Sequence, residues 1–433
     1  MKYKKVILAT LFMAWLFPMV EDKLHLVGVE PLKGSFTLQK DTLFSLRTWF
    51  DGSFAAQKEK YINDQFALRP FFIRIKNQIY YSLYNSVSAN DVVIGKDGVL
   101  FEEKYIRAYL GEDFVGEELL LKRFEKIKFV QDTLKKMNKD LILLFAPGKA
   151  SFCPEFLPDK YSKKSTENNY DLSVKLAKSN GINFIDYGSL FRKIKSSSKH
   201  PLYPKTGTHW SVYGMYYALD TLNRYIESRR NIKLSKFNYQ EMLITDSLRD
   251  PDNDLESALN LLWKMPCYEM AYPINVKLDT SKKDKINLLM VSDSYWMGIY
   301  YTKIPREVYG YHSFWYYNNL VYDYYDGNEG KNPMLLDFKY ELNRSDVICI
   351  MASEVNTSNI GWGFIEDAYK YFKYGEKSLG NRQEQSDING IIRYLYENPA
   401  WLNDVRIKAE KNGMPLDTMI YLDAEWVYKQ GKK

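Results

Sequence analysis

The sequence has few of the residues on which metal and imidazole chemistry depend. Only three cysteines and four histidines occur among 433 residues: Cys153, Cys267, Cys349, His25, His200, His209 and His312. The cysteines include no CxxC pair and do not have metal-ligand spacing, so the sequence predicts no metal site, no cofactor and at most one disulfide. Any mechanism that needs an imidazole base must use one of the four histidines.

The chain also lacks a basic stripe. Its net charge is +6, and its lysines and arginines are interspersed with acidic residues nearly everywhere. This pattern is typical of a solvated surface and excludes nucleic acid as the expected partner. Tyrosine, by contrast, is abundant, with 36 residues. Aromatic rings suit both sugar binding and packed cores, so their number alone does not decide between these roles.

No apolar run in the N-terminal region reaches the length of an ordinary membrane-spanning helix. Lys2, Lys4 and Lys5 precede an uncharged run from Val6 to Val20, whereas about 20 residues are needed to cross a bilayer. A basic start followed by an apolar segment is typical of an export signal. No small-x-small pattern precedes Glu21, so residues 1–22 are interpreted as an uncleaved signal anchor rather than a removed peptide.

The rest of the chain divides into three regions. Residues 23–90 are predicted to be largely helical, and residues 381–433 form a helical C-terminal appendage interrupted at Asn398-Pro399. Between them, residues 91–380 begin with a hairpin over Val92–Phe101, turning at Asp97-Gly98. Helical stripes then alternate with short apolar strands over 141–145, 182–185, 286–291 and 347–351. This alternation predicts an α/β domain whose mostly parallel sheet is covered on both faces.

Active sites of parallel sheets lie beyond the carboxyl ends of the strands, and two segments there contain candidate residues. Ser294 follows the apolar strand 286–291 in a Ser-Asp-Ser turn, where a hydroxyl can be exposed beside backbone N–H groups. His209 lies in a glycine-containing loop ahead of a predicted helix. Taken singly, the turn could simply cap a helix and the histidine could simply be solvated. His209 is favoured as a base because the other three histidines lie in less suitable surroundings.

Thr208-His209-Trp210-Ser211, followed by Gly214, resembles the Thr-His-Trp motif of the AlgX/AlgJ-related alginate O-acetyltransferase family, and Ser292-Asp293-Ser294-Tyr295 resembles its nucleophile block. Further similar stretches lie in the same order along the chain between Asn63 and Glu354: Asn63–Arg69, Val93–Phe101, Pro147–Lys149 and Pro154–Pro158. An ordered set of this kind is much more specific than one tetrapeptide.

The resemblance implies a membrane-anchored protein with an SGNH-hydrolase-like three-layer α/β/α domain. It implies that Ser294 accepts an acyl group while His209 removes its proton. It also implies acetyl transfer to hydroxyls of an exported polysaccharide at the periplasmic face of the cytoplasmic membrane, or in the periplasm if the anchor is cleaved. A polytopic membrane acyltransferase is the expected acetyl donor. The alternatives are a carbohydrate acetyl-esterase and a non-catalytic polysaccharide-binding scaffold subunit on the same fold.

Other roles at the expected site are assigned as follows. The family's acid lies two residues before the histidine, but Gly207 occupies that position here. Three alternatives follow from this departure. The acid comes from outside this loop, with Asp186 as the candidate because it ends a predicted strand, or Ser294 and His209 act as a dyad without an acid, or the site is degraded and of low activity. The oxyanion donors are expected to be the Ser294 backbone N–H and the Asn318 amide. The aromatic residues beside the two motifs are expected to bind substrate: Trp210, Tyr295 and Trp296.

Overall fold

The computed structural model describes residues 2–24, 26, 28–34, 38–89, 91–161, 167–279, 283–325, 327–380, 382–414 and 416–431. Within this part of the chain, the predicted hairpin is confirmed. Strand β1 (Val92–Ile94) pairs antiparallel with β2 (Leu100–Glu102).

A six-stranded sheet forms the centre of the fold. Its strands, named in chain order, are β3 (Asp140–Ala146), β4 (Phe184–Asp186), β7 (Asn287–Ser292), β8 (Tyr311–Tyr316), β9 (Leu320–Asp323) and β10 (Val347–Ser353). They lie in the order β4-β3-β10-β7-β8-β9, and only β9 runs antiparallel to its neighbour. The predicted mostly parallel sheet is therefore confirmed, although the sequence patterns gave no indication of β8 and β9.

Helices pack on both faces of this sheet. In β3, the side chains of Ile142 and Leu144 join one hydrophobic core, while those of Leu141 and Leu143 join the other. One core is covered by α5 (Glu103–Leu110), α7 (Lys149–Phe152), α9 (Tyr187–Ile194), α10 (Val212–Arg230), α12 (Met297–Tyr301) and α13 (Ile304–Val308). The other is covered by α6 (Glu117–Lys136), α8 (Asn169–Ser179), α14 (Phe338–Arg344) and α15 (Phe364–Tyr374). This arrangement is the expected three-layer α/β/α architecture.

A separate antiparallel hairpin extends from the domain. It consists of β5 (Lys236–Thr245) and β6 (Met270–Asp279). The connection between these strands is long and contains a short helix, α11 (Asp254–Leu259). The sequence patterns did not indicate this hairpin, which nevertheless contributes to the candidate site.

Helices also form both terminal regions. The N-terminal helices are α1 (Lys2–Leu24), α2 (Leu46–Phe50), α3 (Ser53–Gln65) and α4 (Arg69–Tyr84). The C-terminal helices are α16 (Arg382–Glu397), α17 (Pro399–Lys411) and α18 (Leu416–Gly431), with Asn398 capping α17. Among the described residues, no helix combines the length and apolarity required to cross a bilayer. The proposed domain boundaries and the signal anchor remain predictions.

The parallel strands bring several loops to one edge of the sheet. Ser294 follows the carboxyl end of β7, and Asn356 follows that of β10. Tyr317 follows β8, and Lys149 follows β3. Strands that run in the same direction all end at this edge, so residues distant in sequence can form one site there.

Candidate active site

The turn that contains Ser294 is fixed by the buried carboxylate of Asp293. Its Oδ1 accepts a hydrogen bond from the backbone N–H of Tyr295, at 3.1 Å. Its Oδ2 accepts bonds from the backbone N–H of Ser353, at 2.7 Å, and from the Asn356 amide, at 2.8 Å. These bonds tie the turn after β7 to the end of β10. Ser294 is partly exposed, whereas the residues on either side of it are buried.

His209 lies against Ser294, although 85 residues separate them in sequence. The distance from His209 Nε2 to Ser294 Oγ is 2.8 Å, which is within the range for a general base and its proton donor. Ser211 caps α10 by accepting a bond from the Gly214 N–H, at 3.0 Å. The helix start and the loop ahead of it are thereby held in place. The structure thus brings together the two residues selected from the sequence.

A third residue, Asp254, completes a hydrogen-bonded chain. Its Oδ2 lies 2.7 Å from His209 Nδ1, and its Oδ1 accepts the Thr208 backbone N–H at 2.8 Å. Asp254 is the first residue of α11, 45 residues beyond His209 in sequence. The carboxylate that contacts His209 therefore comes from outside the histidine loop, and it belongs to a residue that the sequence analysis did not select.

Asp186 is not the acid. Its Oδ1 accepts hydrogen bonds from the Tyr170 hydroxyl, at 2.6 Å, and from the Ser189 backbone N–H, at 3.0 Å, which caps α9. Its strand β4 is at the edge of the sheet, three strand positions from β7. At about 4.8 Å per position, this is a separation of about 14 Å. The prediction was wrong because a strand-end aspartate is usually a helix cap.

The packing around Gly207 explains why the acid is not in the histidine loop. A Cβ atom on Gly207 would lie 2.7 Å from the Pro251 carbonyl oxygen, 2.9 Å from that of Asp252 and 2.8 Å from the ring of Pro204. Residues 251–252 lead directly into Asp254, so this close approach brings the acid to His209. A carboxylate at position 207 and the present path of residues 251–254 are sterically incompatible.

The surroundings of His209 have opposing effects on its pKa. Burial favours the neutral ring and lowers the pKa, whereas the hydrogen bond and negative charge of Asp254 favour imidazolium. The favourable effects outweigh burial, and the pKa of His209 is raised above its ordinary value. Because Asp254 accepts a hydrogen bond from the Nδ1–H of the neutral ring, Nε2 carries no proton and can accept the Ser294 proton.

Lys149 is a buried cation beneath the histidine loop. Its Nζ donates hydrogen bonds to the carbonyl oxygens of Lys205 and Gly207, each at 2.8 Å. Burial lowers the pKa of Lys149 to about 7, while the nearby Asp254 charge opposes that shift. Lys149 therefore holds the backbone that leads into His209 and supplies two buried carbonyl groups with a donor.

A cavity of about 420 Å³ opens beside Ser294, His209 and Asp254. Trp210 and Tyr295 belong to its lining, but each is only 1% exposed, so little of either ring is available for direct contact with substrate. Trp296 is fully buried and donates its indole N–H to His312 Nε2 at 3.1 Å. The expectation that Trp296 binds substrate was therefore wrong.

Asn318 does not point its amide at the nucleophile. Its Nδ2 donates to the Trp362 carbonyl at 3.0 Å. The preceding residue, Tyr317, instead has its hydroxyl close enough to the side chains of Ser294 and Asn356 for both to lower its pKa against the larger effect of burial. Both Tyr317 and Asn318 have φ of 49°, as in the type I′ turn of a tight hairpin. Positive φ is uncommon for a bulky residue such as tyrosine and often marks a functional constraint.

The other described histidines lie in different surroundings. His312 is buried next to Trp296, and burial lowers its pKa to about 4, so its ring is neutral. His200 packs edge-on against Tyr213. His25 lies outside the described residues. The three cysteines are free.

Fold and site together define an SGNH hydrolase-like α/β protein in which serine, histidine and aspartate form one hydrogen-bonded chain. Residues 92–289 match the family model described as ALGX, the SGNH hydrolase-like domain of acetyltransferase AlgX. This match confirms the resemblance to the AlgX/AlgJ-related family and the expected fold class. The matched range includes His209 and Asp254 and ends before Ser294.

Individual relatives are distant. The Pseudomonas putida protein named probable alginate O-acetylase AlgJ is 22% identical over 175 residues, which cover 40% of this chain and 44% of that protein. Its Azotobacter vinelandii namesake is 23% identical over 166 residues, covering 38% and 40% respectively. The chain thus spans less than half the length of these relatives. Among solved structures, the O-acetyltransferase domain of Pseudomonas putida AlgJ aligns over 64% of this chain and 98% of its own, with 17% identity and a TM-score of 0.44.

Asp254→Asn is expected to lower turnover of an acetyl ester by about 10³–10⁴-fold, because the ring loses the carboxylate that orients it and stabilises imidazolium. It should also shift the acidic limb of the pH–rate profile to lower pH, since Asp254 raises the pKa of His209. Both effects can be measured from initial rates across pH. Asp186→Asn is the matched control, because asparagine caps helices as well as aspartate does. An equal loss in Asp186→Asn would contradict the assignment of the acid.

Gly207→Asp is expected to lower acetyl-ester turnover rather than raise it. The new side chain must displace the carbonyl groups of Pro251 and Asp252, moving Asp254 away from His209. Gly207→Ala should show the same direction of change, because the clash begins at Cβ. Gly390→Ala is the control, since a Cβ there meets no atom within 4 Å. A higher rate in Gly207→Asp would show that a carboxylate can act from position 207, where the family's pattern places its acid.

Proposed function

We propose that this protein transfers acetyl groups to hydroxyls of an exported polysaccharide through an acyl intermediate on Ser294. The observation that carries the proposal is the chain of hydrogen bonds from Asp254 through His209 to Ser294, at 2.7 and 2.8 Å. Polysaccharide is the proposed substrate class because the relatives are named alginate O-acetylases. The cavity beside Ser294 provides space for both an acyl donor and a sugar.

The first half-reaction acylates Ser294. His209 Nε2 accepts the Ser294 proton as Oγ attacks the carbonyl carbon of the acetyl donor. Asp254 holds the ring in the required tautomer and stabilises the imidazolium that forms. His209 then returns the proton to the leaving group as the bond between that group and the carbonyl carbon breaks. The acetyl group remains on Ser294 as an ester.

The second half-reaction regenerates the enzyme. A sugar hydroxyl enters the cavity and attacks the acetyl carbonyl, while His209 accepts the hydroxyl proton. The bond to Ser294 Oγ breaks, and His209 returns the proton to that oxygen. Water in place of the sugar would give acetate, so the choice between transferase and esterase depends on which nucleophile reaches the ester first.

Negative charge develops on the acetyl oxygen in both steps. The Ser294 backbone N–H is one proposed donor, and the Tyr317 hydroxyl is the second. Burial raises the pKa of Tyr317, so its hydroxyl remains protonated and able to donate. Asn356 lies near this hydroxyl and is itself bound to Asp293 at 2.8 Å, so the side of the site that faces Tyr317 is ordered before the reaction begins.

The setting of the reaction is also part of the proposal. The basic residues and apolar run at the start of the chain support a location at the periplasmic face of the cytoplasmic membrane. Acetyl donors made in the cytoplasm must then reach this face, which is a role for a polytopic membrane acyltransferase. Fractionation with N-terminal sequencing of the mature protein tests the location.

The direct test is to incubate the full chain with an activated acetyl ester and search for acetyl on Ser294 by peptide mass spectrometry. Wild type should carry the group on Ser294, and adding an acidic polysaccharide should discharge it and acetylate the sugar. Ser294→Ala should carry none and should acetylate nothing. Discharge to acetate at an unchanged rate would indicate an esterase. A folded wild type that never carries acetyl would favour the scaffold alternative.

Tyr317→Phe is expected to slow acylation by about 10²–10³-fold, the usual cost of losing one oxyanion donor. Phenylalanine preserves the ring and the turn, so the thermal unfolding midpoint should change much less than the rate. Asn318→Gly is the matched comparison: it removes the neighbouring amide, and glycine readily adopts the same positive φ. Equal losses in the two variants would mean that the hairpin, not the Tyr317 hydroxyl, supports the reaction.

A further inference from the structure

Helix α11 carries Asp254 at its first residue, and its other end contacts the N-terminal region. The Asn77 amide on α4 donates to the Leu259 carbonyl at 2.8 Å, and it approaches the Asn260 carbonyl at 3.5 Å. Carbonyl groups at the end of a helix lack partners within the helix. Asn77 is only 9% exposed, so its amide supplies a buried donor where water has little access.

Neighbouring contacts extend this attachment. The side-chain oxygen of Gln78, Oε1, accepts a hydrogen bond from the Trp263 backbone N–H at 3.1 Å. The Asn260 side chain exchanges two hydrogen bonds with the backbone of Lys33, each at 2.8 Å. Arg74 in turn holds the carbonyls of Glu30 and Pro31, at 2.8 and 2.9 Å. The segment that follows α11 is thus bonded both to residues 30–33 and to α4.

Apolar packing reinforces the same contact. Leu255 and Leu259 of α11 are buried in a cluster with Leu100 and Met265, and Tyr81 of α4 packs against this cluster. Six residues of α-helix span only about 9 Å. A displacement at Leu259 is therefore transmitted to Asp254 by a short, stiff element rather than absorbed along the way.

We propose that Asn77 and Gln78 are positioning residues that act through α11 to hold Asp254 on His209, so that the N-terminal helical region completes the site. This inference rests on the proposed acyl-serine chemistry. Neither residue contacts the reacting atoms. A shift of about 1 Å in a catalytic group can cost about 10²-fold in rate, and the 2.7 Å contact between Asp254 and His209 is sensitive to such a shift.

Asn77→Ala in the full chain is expected to reduce the rate of Ser294 acylation by about 10–100-fold. It should also move the acidic limb of the pH–rate profile to lower pH, because the contact with Asp254 raises the pKa of His209. A purely structural defect lowers the amount of active protein without moving that limb. Asn77→Asp is a second variant of nearly the same shape that lacks the N–H donors, and Asn63→Ala on an exposed part of α3 is the control.

A double-mutant cycle with Asp254→Ala identifies the route of the effect. If Asn77 acts through Asp254, the double variant should acylate Ser294 almost as fast as Asp254→Ala alone, because the carboxylate that Asn77 positions is already absent. Where wild type acylates Ser294, either of two results would overturn the positioning role. One is that the rate losses of Asn77→Ala and Asp254→Ala are additive, and the other is that the acidic limb of the pH–rate profile is unchanged in both Asn77 variants. If wild type never acylates Ser294, the proposed function itself fails, and the two failures are thereby distinguished.

Discussion

The geometry of the site depends on the hydrogen bonds that the Asp254 carboxylate accepts. One oxygen binds His209 Nδ1, and the other accepts the backbone N–H groups of Thr208 and Leu255, at 2.8 and 2.7 Å. This one side chain therefore orients the imidazole ring and fixes the loop that precedes His209. Its residue is also the first of α11. An ionised carboxylate has about four acceptor positions and can meet these demands together. An uncharged residue at this position could not, and it would leave donors unpaired.

The absence of an acid at position 207 and the presence of one at 254 have a common steric cause. With no side chain on Gly207, the carbonyls of Pro251 and Asp252 approach its backbone closely. That approach brings Asp254 to Nδ1 of His209, at 2.7 Å. Serine, histidine and aspartate side chains thus meet at the site, and the aspartate comes from the connection between β5 and β6.

Local patterns in the sequence were sufficient for the parallel sheet, and they offered Ser294 and His209 only as candidates, which the ordered resemblance to the family then favoured. Continuous apolar runs mark buried strands, and a parallel sheet dictates where their polar ends meet. Asp254 gave no such signal, because Asp246, Asp250 and Asp252 lie in the same stretch and only the tertiary fold selects among them. Tyr317, the second oxyanion donor that we propose, lies one position before Asn318, the residue selected from the sequence. An amide is an obvious donor, whereas a tyrosine with positive φ is evident only from coordinates.

Two of the 36 tyrosines, Tyr203 and Tyr295, are packed inside the fold next to the histidine loop. The Tyr295 ring packs 5.0 Å from the imidazole and 5.0 Å from Trp210, and the hydroxyls of Tyr203 and Tyr295 lie 3.5 Å apart. These rings are almost fully buried and exclude water from beneath the histidine. Electrostatic interactions are stronger where water is excluded. Trp210 and Tyr295 therefore contribute to the site by excluding water around the contact between Asp254 and His209, while only 1% of each side chain is exposed.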